Sequence, residues 1–466
     1  MPHLMNRRSF LSATGRTAAG LVILGNSRSA RSYWANQRLA VAVIGVGGMG
    51  AVNLSLVSGD PVEIRTGYRI ARGDPEEKTG ESIVALCDVD GRTAADSAPG
   101  RRNPPGDSLA RFPRAKVYRD YRRMLDQMDA RIDAVVVNTP DHIHAPATVT
   151  AMRRGKHVYC EKPGAHTVYE ARVAAEVAAE QQVATQLGTQ MHATDNYRRI
   201  LELLQAGAIG EVDAFHIWLR GGGGRPSDRP GDSPPVPDGL DWNLFLGPTA
   251  YRPYHPTYSR GCGGNWQRWW DFGHGSLGNM GCHFFDLGFW GLDLKYPRAV
   301  HAEGPEPHPE TAPGQLHVGY EFPARGSRPP ATLTWTHGGR GPAVFTENAA
   351  PDWAWGVFVG SEGMLWVNYH EHQLWPEEKF ADYVPPEPSL PASIGHHAEW
   401  IAACKTGSPT GCHFGYSGPV AEAVMLGSVA YRCGQPLEWD AENLRVTNAP
   451  EANQLLHREY REGWTL

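Results

Sequence analysis

The chain has 466 residues, enough for two or three domains. Its 41% hydrophobic and 20% charged residues are ordinary for a globular protein, and a formal net charge of −6 gives no electrostatic reason to bind nucleic acid or an anionic membrane. Gly (53) and Pro (37) predict long loops, whereas 15 Trp are too many for an unfolded chain.

The first 35 residues read as an export signal rather than as part of the fold. Paired Arg7 and Arg8 are followed by Ser9-Phe10-Leu11 and then by the mildly apolar run Thr17–Gly25. This is the layout of a twin-arginine signal, with cleavage expected near Ala30. The apolar core is too short for stable membrane insertion. The expectation is therefore a periplasmic or secreted protein that meets the twin-arginine translocase after folding. The seven cysteines (Cys87, Cys160, Cys262, Cys282, Cys404, Cys412, Cys433) form no CxxC pair and no zinc spacing. They read as mainly buried thiols, and no metal site is expected.

From Leu39 the pattern is that of a parallel sheet covered on both faces. Apolar strands are expected at 39–44, 82–90, 132–140, 157–160 and 183–190, with helices at 51–58, 145–155, 168–182 and 196–207 between or after them. Insertions at about 59–81 and 91–113, rich in Gly, Pro and charge, read as surface loops. Strand-like runs then follow one another without helices at 211–219, 314–322, 331–337 and 355–367, which predicts a second domain with a mixed sheet. Two late helices, 396–407 and 419–434, end on Gly407 and Gly434. The expected division is 1–35 signal, 36–165 nucleotide-binding domain, 166–390 mixed-sheet domain for substrate and oligomerisation, and 391–466 C-terminal helices and tail packing back on both.

Three clusters carry chemistry. The first is Gly45-x-Gly47-x-x-Gly50, between a strand and a helix, with Met49 inside it. Gly45 allows the tight turn, Gly47 lets the backbone approach a pyrophosphate, and Gly50 allows close packing of a helix whose N-terminus faces the phosphates. Asp88 ends the second strand, where a carboxylate hydrogen-bonds a ribose 2′-hydroxyl and repels a 2′-phosphate. That favours NAD over NADP.

The second cluster lies at the carboxyl edge of the sheet, where ligands of such folds bind. Thr139 and Pro140 in "NTPDHIHAP" would lie against the dinucleotide, with His144 beside it; His142 and His144 also read as packing residues of the next helix. Glu161-Lys162-Pro163 ends the next strand on an acid, a base and a ring.

The third cluster is "GNMGCHFFDLGFW", where Asn279, His283 and Asp286 share one helix face. His283 is a candidate general base for an alcohol proton, or a core histidine bonded to a carbonyl. Gly273, Gly275, Gly278 and Gly281 allow the backbone to approach something closely. Trp269 and Trp270, in "NWQRWWDF", offer faces on which a sugar ring can stack, or core packing. Gln190 is a further candidate substrate contact.

Taken in order, Gly45-x-Gly47-x-x-Gly50, "CDVD", "NTPDHIHAP", "EKP" and the Asn279–His283–Asp286 helix resemble the Gfo/Idh/MocA family, which includes glucose–fructose oxidoreductase and inositol dehydrogenase. The resemblance covers about residues 38–440, and the tail resembles a secreted branch of the family. It implies a Rossmann domain followed by a domain with a large open mixed sheet, tightly bound NAD or NADP, and a homo-oligomer. It also implies that Lys162 projects between nicotinamide and sugar hydroxyls, that Glu161 sits near the cofactor, that Pro163 follows a cis bond, and that His283 accepts the proton.

One departure is Asn279, where the family usually has Asp. Asn orients but cannot stabilise an imidazolium by charge; Asp271 and His274 are the polar neighbours that would compensate. The implied reaction is oxidation of a sugar hydroxyl by a nicotinamide. Export favours an enzyme that keeps its cofactor, including a redox-neutral glycosidase or lyase working by oxidation and elimination. A non-catalytic sugar- or dinucleotide-binding protein is the third expectation.

Overall fold

A computed structural model describes residues 37–59, 79–93, 95, 104–259 and 266–466. The export-signal stretch, most of the first Gly/Pro-rich insertion, Cys262 and Asn265 lie outside the described residues.

Six parallel strands form the first sheet, in the order β3-β2-β1-β4-β5-β6. They are β1 (Ala40–Ile44), β2 (Ser82–Cys87), β3 (Lys116–Tyr118), β4 (Ala134–Val137), β5 (His157–Glu161) and β6 (Thr185–Gly188). The helices that cover them are α1 (Met49–Ser58), α2 (Tyr121–Met128), α3 (Asp141–Met152) and α4 (Val168–Gln181). The order reverses between β1 and β4, which makes the crevice at their carboxyl ends the ligand site of a Rossmann sheet.

Burial explains why β1 and β4 read as continuous apolar runs. Val41 and Val43 pack on Leu54 and Val57 of α1, while Ala42 and Ile44 face the opposite layer. The start of α4 is capped from both sides: the Thr167 hydroxyl accepts from Glu170 N (3.1 Å), and Glu170 Oε2 accepts from His166 N (2.7 Å).

The expected boundary at residue 165 is corrected. β6 pairs with β5, so the parallel sheet runs to Gly188. Part of the second insertion is also structured, as the short helix Pro105–Ala110. Strand β3 is only three residues long and mostly exposed, too short for period-two reading.

The second sheet has nine strands in the order β13-β12-β11-β7-β10-β9-β8-β14-β15. They are β7 (Val212–Leu219), β8 (Ala299–Glu303), β9 (Leu316–Phe322), β10 (Ala331–His337), β11 (Gly356–Gly360), β12 (Gly363–Val367), β13 (His372–Trp375), β14 (Leu437–Asp440) and β15 (Arg445–Val446). Only β7 and β10 pair in parallel; the other neighbours are antiparallel. The C-terminal region therefore adds two strands to this sheet instead of only packing back on it.

One face of the sheet is covered by α6 (Gly275–Leu292), which follows α5 (Asp195–Gln205) in the chain. Phe284 and Phe285 of α6 meet the ring of Trp335 on β10. Side chains alternate along a strand, so Thr334 and Thr336 point to the other face. There they accept or donate at His216 and His317, each 2.8 Å away.

The last helices bind the two halves together. Trp400 and Ile401 of α7 (His396–Thr406) join the core beneath β1, and α8 (Phe414–Cys433) lies against α4, α6 and β8. Arg458 and Tyr460 of the tail close on the buried Glu170 of α4. The six described cysteines carry free thiols, five of them buried. No described helix is long and apolar enough to cross a membrane.

Candidate active site at the carboxyl edge of the parallel sheet

The glycine turn is built against the end of β4. Gly45 has φ +80°, and a β-carbon there would stand 2.7 Å from the Asn138 carbonyl oxygen. A β-carbon on Gly50 would stand 2.1 Å from the Gly45 carbonyl oxygen. Both positions therefore exclude any larger residue. Gly45, Gly47 and Met49 remain half-buried, on the open side of the turn.

Asp88 stands where expected, directly after β2. Its Oδ2 accepts from Val46 N (2.8 Å) inside the turn, and its Oδ1 accepts from Asp90 N (2.9 Å). A distant segment crosses this point. Leu240 bridges to Asp90, Asp241 N donates to the Val89 carbonyl (2.8 Å), and Gly91 N donates to the Gly239 carbonyl (3.0 Å). Residues 239–241 thus lie across the chain just beyond Asp88.

Deeper in the crevice, Glu161 ends β5 with its carboxylate buried. Asn53 of α1 and Gln190 each donate to its Oε1 at 2.8 Å. Asn53 also donates to Asn138 (2.7 Å), Gln190 to the Tyr159 hydroxyl (2.9 Å), and His397 of α7 meets Asn53 Oδ1 at 3.0 Å. Burial raises the Glu161 carboxyl, opposed by the charge of Lys162 and by these donors. Gly188 leaves the room: a β-carbon there would touch the Glu161 carboxyl carbon at 2.8 Å.

Lys162 follows, on a cis Lys162–Pro163 peptide. Its ammonium donates to Asn279 Oδ1 (2.8 Å) on α6, and Gln267 donates to the same oxygen at 2.8 Å. One turn on from Asn279 lies His283, 2% exposed. Burial, and after it the charge of Lys162, push its imidazole down to about 3, so it is neutral at physiological pH.

Asp141 completes the group. It opens α3, is 2% exposed, and its Oδ2 has no hydrogen-bond partner among the described residues. Burial pushes this carboxyl up to about 8, against the pull of Lys162.

Several expected site residues stand elsewhere. His144 Nε2 donates to the Thr139 carbonyl at 2.7 Å, which ties it to the loop after β4, and burial lowers its imidazole to about 3. Thr139 keeps its own hydroxyl buried without a partner among the described residues, next to Pro140 at the head of α3.

Asp286 lies two turns from Asn279. Residues that share a helix face at i and i+7 differ by about 10 Å along the axis, and Asp286 belongs to another layer. There it meets His192 Nδ1 (3.0 Å) and the Tyr416 hydroxyl (2.8 Å). With Cys412 this is the one grouping of ligand-type side chains among the described residues. Burial holds the Cys412 thiol well above its ordinary pKa, and Thr189 donates to its sulfur at 3.1 Å.

Trp269 and Trp270 are enclosed by protein. Tyr258 meets the ring of Trp269 at 4.8 Å; Trp270 donates to the His308 carbonyl (2.9 Å) and carries the Arg432 guanidinium 5.0 Å from its ring. Neither ring keeps a face for a sugar. Asp271 is paired with Arg252, and His274 Nε2 donates to the His166 carbonyl (2.7 Å), so neither compensates for Asn279. Gly281 of α6 serves helix packing: a β-carbon there would stand 2.9 Å from Val424 of α8.

Asn53, Asp141 and Gln267 are the members that sequence reasoning missed. Asp141 lay within a quoted motif, but an acid at a helix start is the commonest surface capping choice, and only its burial sets it apart.

Comparison with known proteins is consistent with this site. The family profiles described as "Oxidoreductase family, NAD-binding Rossmann fold" and "Oxidoreductase family, C-terminal alpha/beta domain" match residues 39–189 and 228–326, together more than half of the chain. The chain belongs to the Gfo/Idh/MocA oxidoreductase family. Its first domain is accordingly an NAD-binding one.

Among curated relatives, an inositol 2-dehydrogenase of Rubrobacter xylanophilus is 27% identical over 186 residues, 40% of this chain and 45% of the relative. A glycosyl hydrolase family 109 protein of Shewanella baltica is 29% identical over 222 residues, 45% of each chain. The match thus spans less than half the length of these relatives. Among solved structures, an inositol dehydrogenase homolog of Azotobacter vinelandii, complexed with NADH and myo-inositol, aligns with TM-score 0.52 and 16% identity, covering 87% of this chain and 98% of its own. The WlbA dehydrogenase of Bordetella pertussis, complexed with NADH and UDP-GlcNAcA, gives 0.55 and 13%, covering 87% and 99%. At such identities the likeness is one of fold.

Proposed function

We propose that this protein oxidises a hydroxyl of a sugar or sugar derivative with an NAD that it retains through many turnovers. The observation that carries the reading is the Lys162–Asn279 hydrogen bond (2.8 Å), which aims an ammonium into the crevice between the glycine turn and a neutral His283. The bound cofactor supplies the hydride acceptor. Gly45, Gly47, Gly50 and Asp88 would hold it, and the fit is supported by the lack of room for a β-carbon at Gly45 and Gly50 and by the Thr139 hydroxyl, which has no partner among the described residues.

Lys162 lowers the cost of the developing alkoxide, and His283 is in the protonation state that can receive a hydrogen bond from the hydroxyl. Retention of the cofactor is supported by residues 239–241, which cross the chain beyond Asp88. Export by the twin-arginine route rests on Arg7-Arg8 and the apolar run after them. Assembly into a homo-oligomer rests on the face of the nine-stranded sheet turned away from α6, where half-buried His216 and His317 stand in rows with threonines.

A second reading is favoured by the glycosyl hydrolase family 109 relatives. In it the oxidised carbon acidifies its neighbour, elimination cleaves a glycosidic bond, water adds, and the hydride returns. One experiment tests both. Protein purified with its own dinucleotide is given a panel of free sugars and chromogenic glycosides without added cofactor. Growth of the reduced-nicotinamide absorbance on adding a free sugar supports the first reading. Catalytic release of the chromophore supports the second. A spectrum unmoved by every sugar, with no release, defeats both and leaves a binding protein.

A further inference from the structure

The side-chain amide of Asn279 has one allowed orientation. Lys162 Nζ stands 2.8 Å from one of its two polar atoms. An ammonium only donates, so that atom is the oxygen. The second partner of this oxygen, also at 2.8 Å, is therefore the amide nitrogen of Gln267. Both lone pairs of Oδ1 are used. The other atom, Nδ2, can only donate, and it has no partner among the described residues. Asn279 and Lys162 are both half-buried, so neither head group is sealed in the core.

Gln267 is placed for this contact by its backbone. It lies in the short turn Trp266–Arg268, and a β-carbon on Gly273 would stand 2.8 Å from its carbonyl oxygen. The turn is thus packed against the residues that lead into α6, and the Gln267 side chain reaches Asn279 in the second turn of that helix.

The charge beside this amide is unbalanced. Among the described residues, no carboxylate is paired with the Lys162 ammonium. Glu161, next to it in the chain, is held by Asn53 and Gln190. Burial pushes the Asp141 carboxyl up to about 8, so it is mostly protonated at neutral pH. His283 is lowered to about 3 and carries no charge. A carboxylate at position 279 would have balanced Lys162 within the protein, whereas asparagine adds a donor and leaves the charge for the substrate. A hydroxyl oxygen would accept from Nδ2 but would leave the ammonium unpaired. A carboxylate accepts from both groups, in charge-assisted hydrogen bonds. Lys162 has three N–H groups: one bonds Asn279, one suits this carboxylate, and one remains for the hydroxyl to be oxidised.

We propose that Asn279, its amide fixed by Lys162 and Gln267, is a specificity-determining residue that donates to a carboxylate of the substrate, so that the site takes a sugar acid: a hexuronate, free or as a glycoside. Gln267 is the positioning residue that keeps Nδ2 turned to the substrate. The proposal rests on the oxidoreductase reading above and names its substrate class.

The test uses the full-length protein with its own dinucleotide, chemically reduced so that a sugar binds without being oxidised. Calorimetric titration compares glucuronate, galacturonate and their methyl glycosides with the methyl ester of each and with glucose and galactose. At least one uronate should bind about 10-fold or more tighter than its own ester, and free acid against glycoside shows which form the site takes. In Asn279→Asp this preference should vanish or reverse, with the esters bound as well as before. In Gln267→Met it should fall several-fold with ester affinity and dinucleotide content unchanged, a split that general loosening of the fold would not give. Equal affinity for uronate and ester in the native protein, no binding of any uronate, or an Asn279→Asp variant that keeps the native preference overturns the proposal. With the dinucleotide left oxidised, uronates that bind in the expected pattern and never reduce it defeat the oxidoreductase reading and leave the specificity standing. Neutral sugars that reduce it, where uronates do not bind, do the opposite.

Discussion

The two acids on either side of Lys162 are equally buried and chemically opposite. Around Glu161 the fold has built a polar network: Asn53 from α1, Gln190 after β6, Tyr159 on β5 and His397 from α7. Around Asp141 it has built backbone and glycine, and left one oxygen bare among the described residues. Burial raises both carboxyls, Asp141 to about 8, while the charge of Lys162 and the amide donors oppose the rise at Glu161. The difference teaches that an acid's role is read from its partners. A satisfied carboxyl is held in its network, whereas an unsatisfied one is kept protonated by burial.

The largest way to test this contrast is to remove what the two acids share. Lys162→Ala should slow hydride transfer by roughly 10²–10⁴-fold, while the Gly45–Gly50 turn keeps its NAD. Stopped-flow absorbance and a dinucleotide assay measure the two separately, and near-native turnover in this variant would remove Lys162 from the mechanism.

Next comes crowding of the Glu161 side alone. Gly188→Ala puts a methyl group 2.8 Å from the Glu161 carboxyl carbon and should cost about 1–3 kcal/mol. Thermal unfolding reports it, and an unchanged Tm would show that the network has slack.

The Asp141 side gives an effect of a different kind, one that depends on pH. Its folded pKa of about 8 lies above its ordinary value of 3.8, so the folded state holds a proton that the unfolded state loses. That contribution is fully present below pH 4 and is lost as the pH rises through 8. Asp141→Asn, which carries no charge, should therefore gain stability relative to the native protein on going from pH 4 to 8. A Tm difference that is constant across this range would contradict the shift.

The smallest effect is expected from Glu161→Gln. Its side chain keeps an oxygen for Asn53 and Gln190, and the loss should be no more than about 1 kcal/mol, with the pH profile of turnover unaltered.

Much of this was legible in the order of residues. Strands with period-two or continuous apolar runs, such as Ala331–His337, appear where they were expected, as do the glycine turn, Asp88 and Lys162. These are local signals: a strand buried on both faces must be apolar along its length, and a phosphate-binding turn must lack side chains. Less was legible where partners come from far along the chain. β14 and β15 are too short to show a period, and they join the sheet through β8, more than 130 residues earlier.

The site divides along the same line. Sequence by itself established that Gly45, Asp88, Glu161 and Lys162 meet at the carboxyl edge of a parallel sheet, because β–α–β connectivity allows few other arrangements. Whether a tryptophan is free to stack, whether Asp286 reaches the reacting centre, and which acid beside Lys162 lacks a partner depend on contacts between segments 100 or more residues apart. Those were decided only by the tertiary structure. Desolvation and hydrogen-bond satisfaction are properties of the packed neighbourhood, and no window along the chain contains Asp141, Lys162 and Asn279 together.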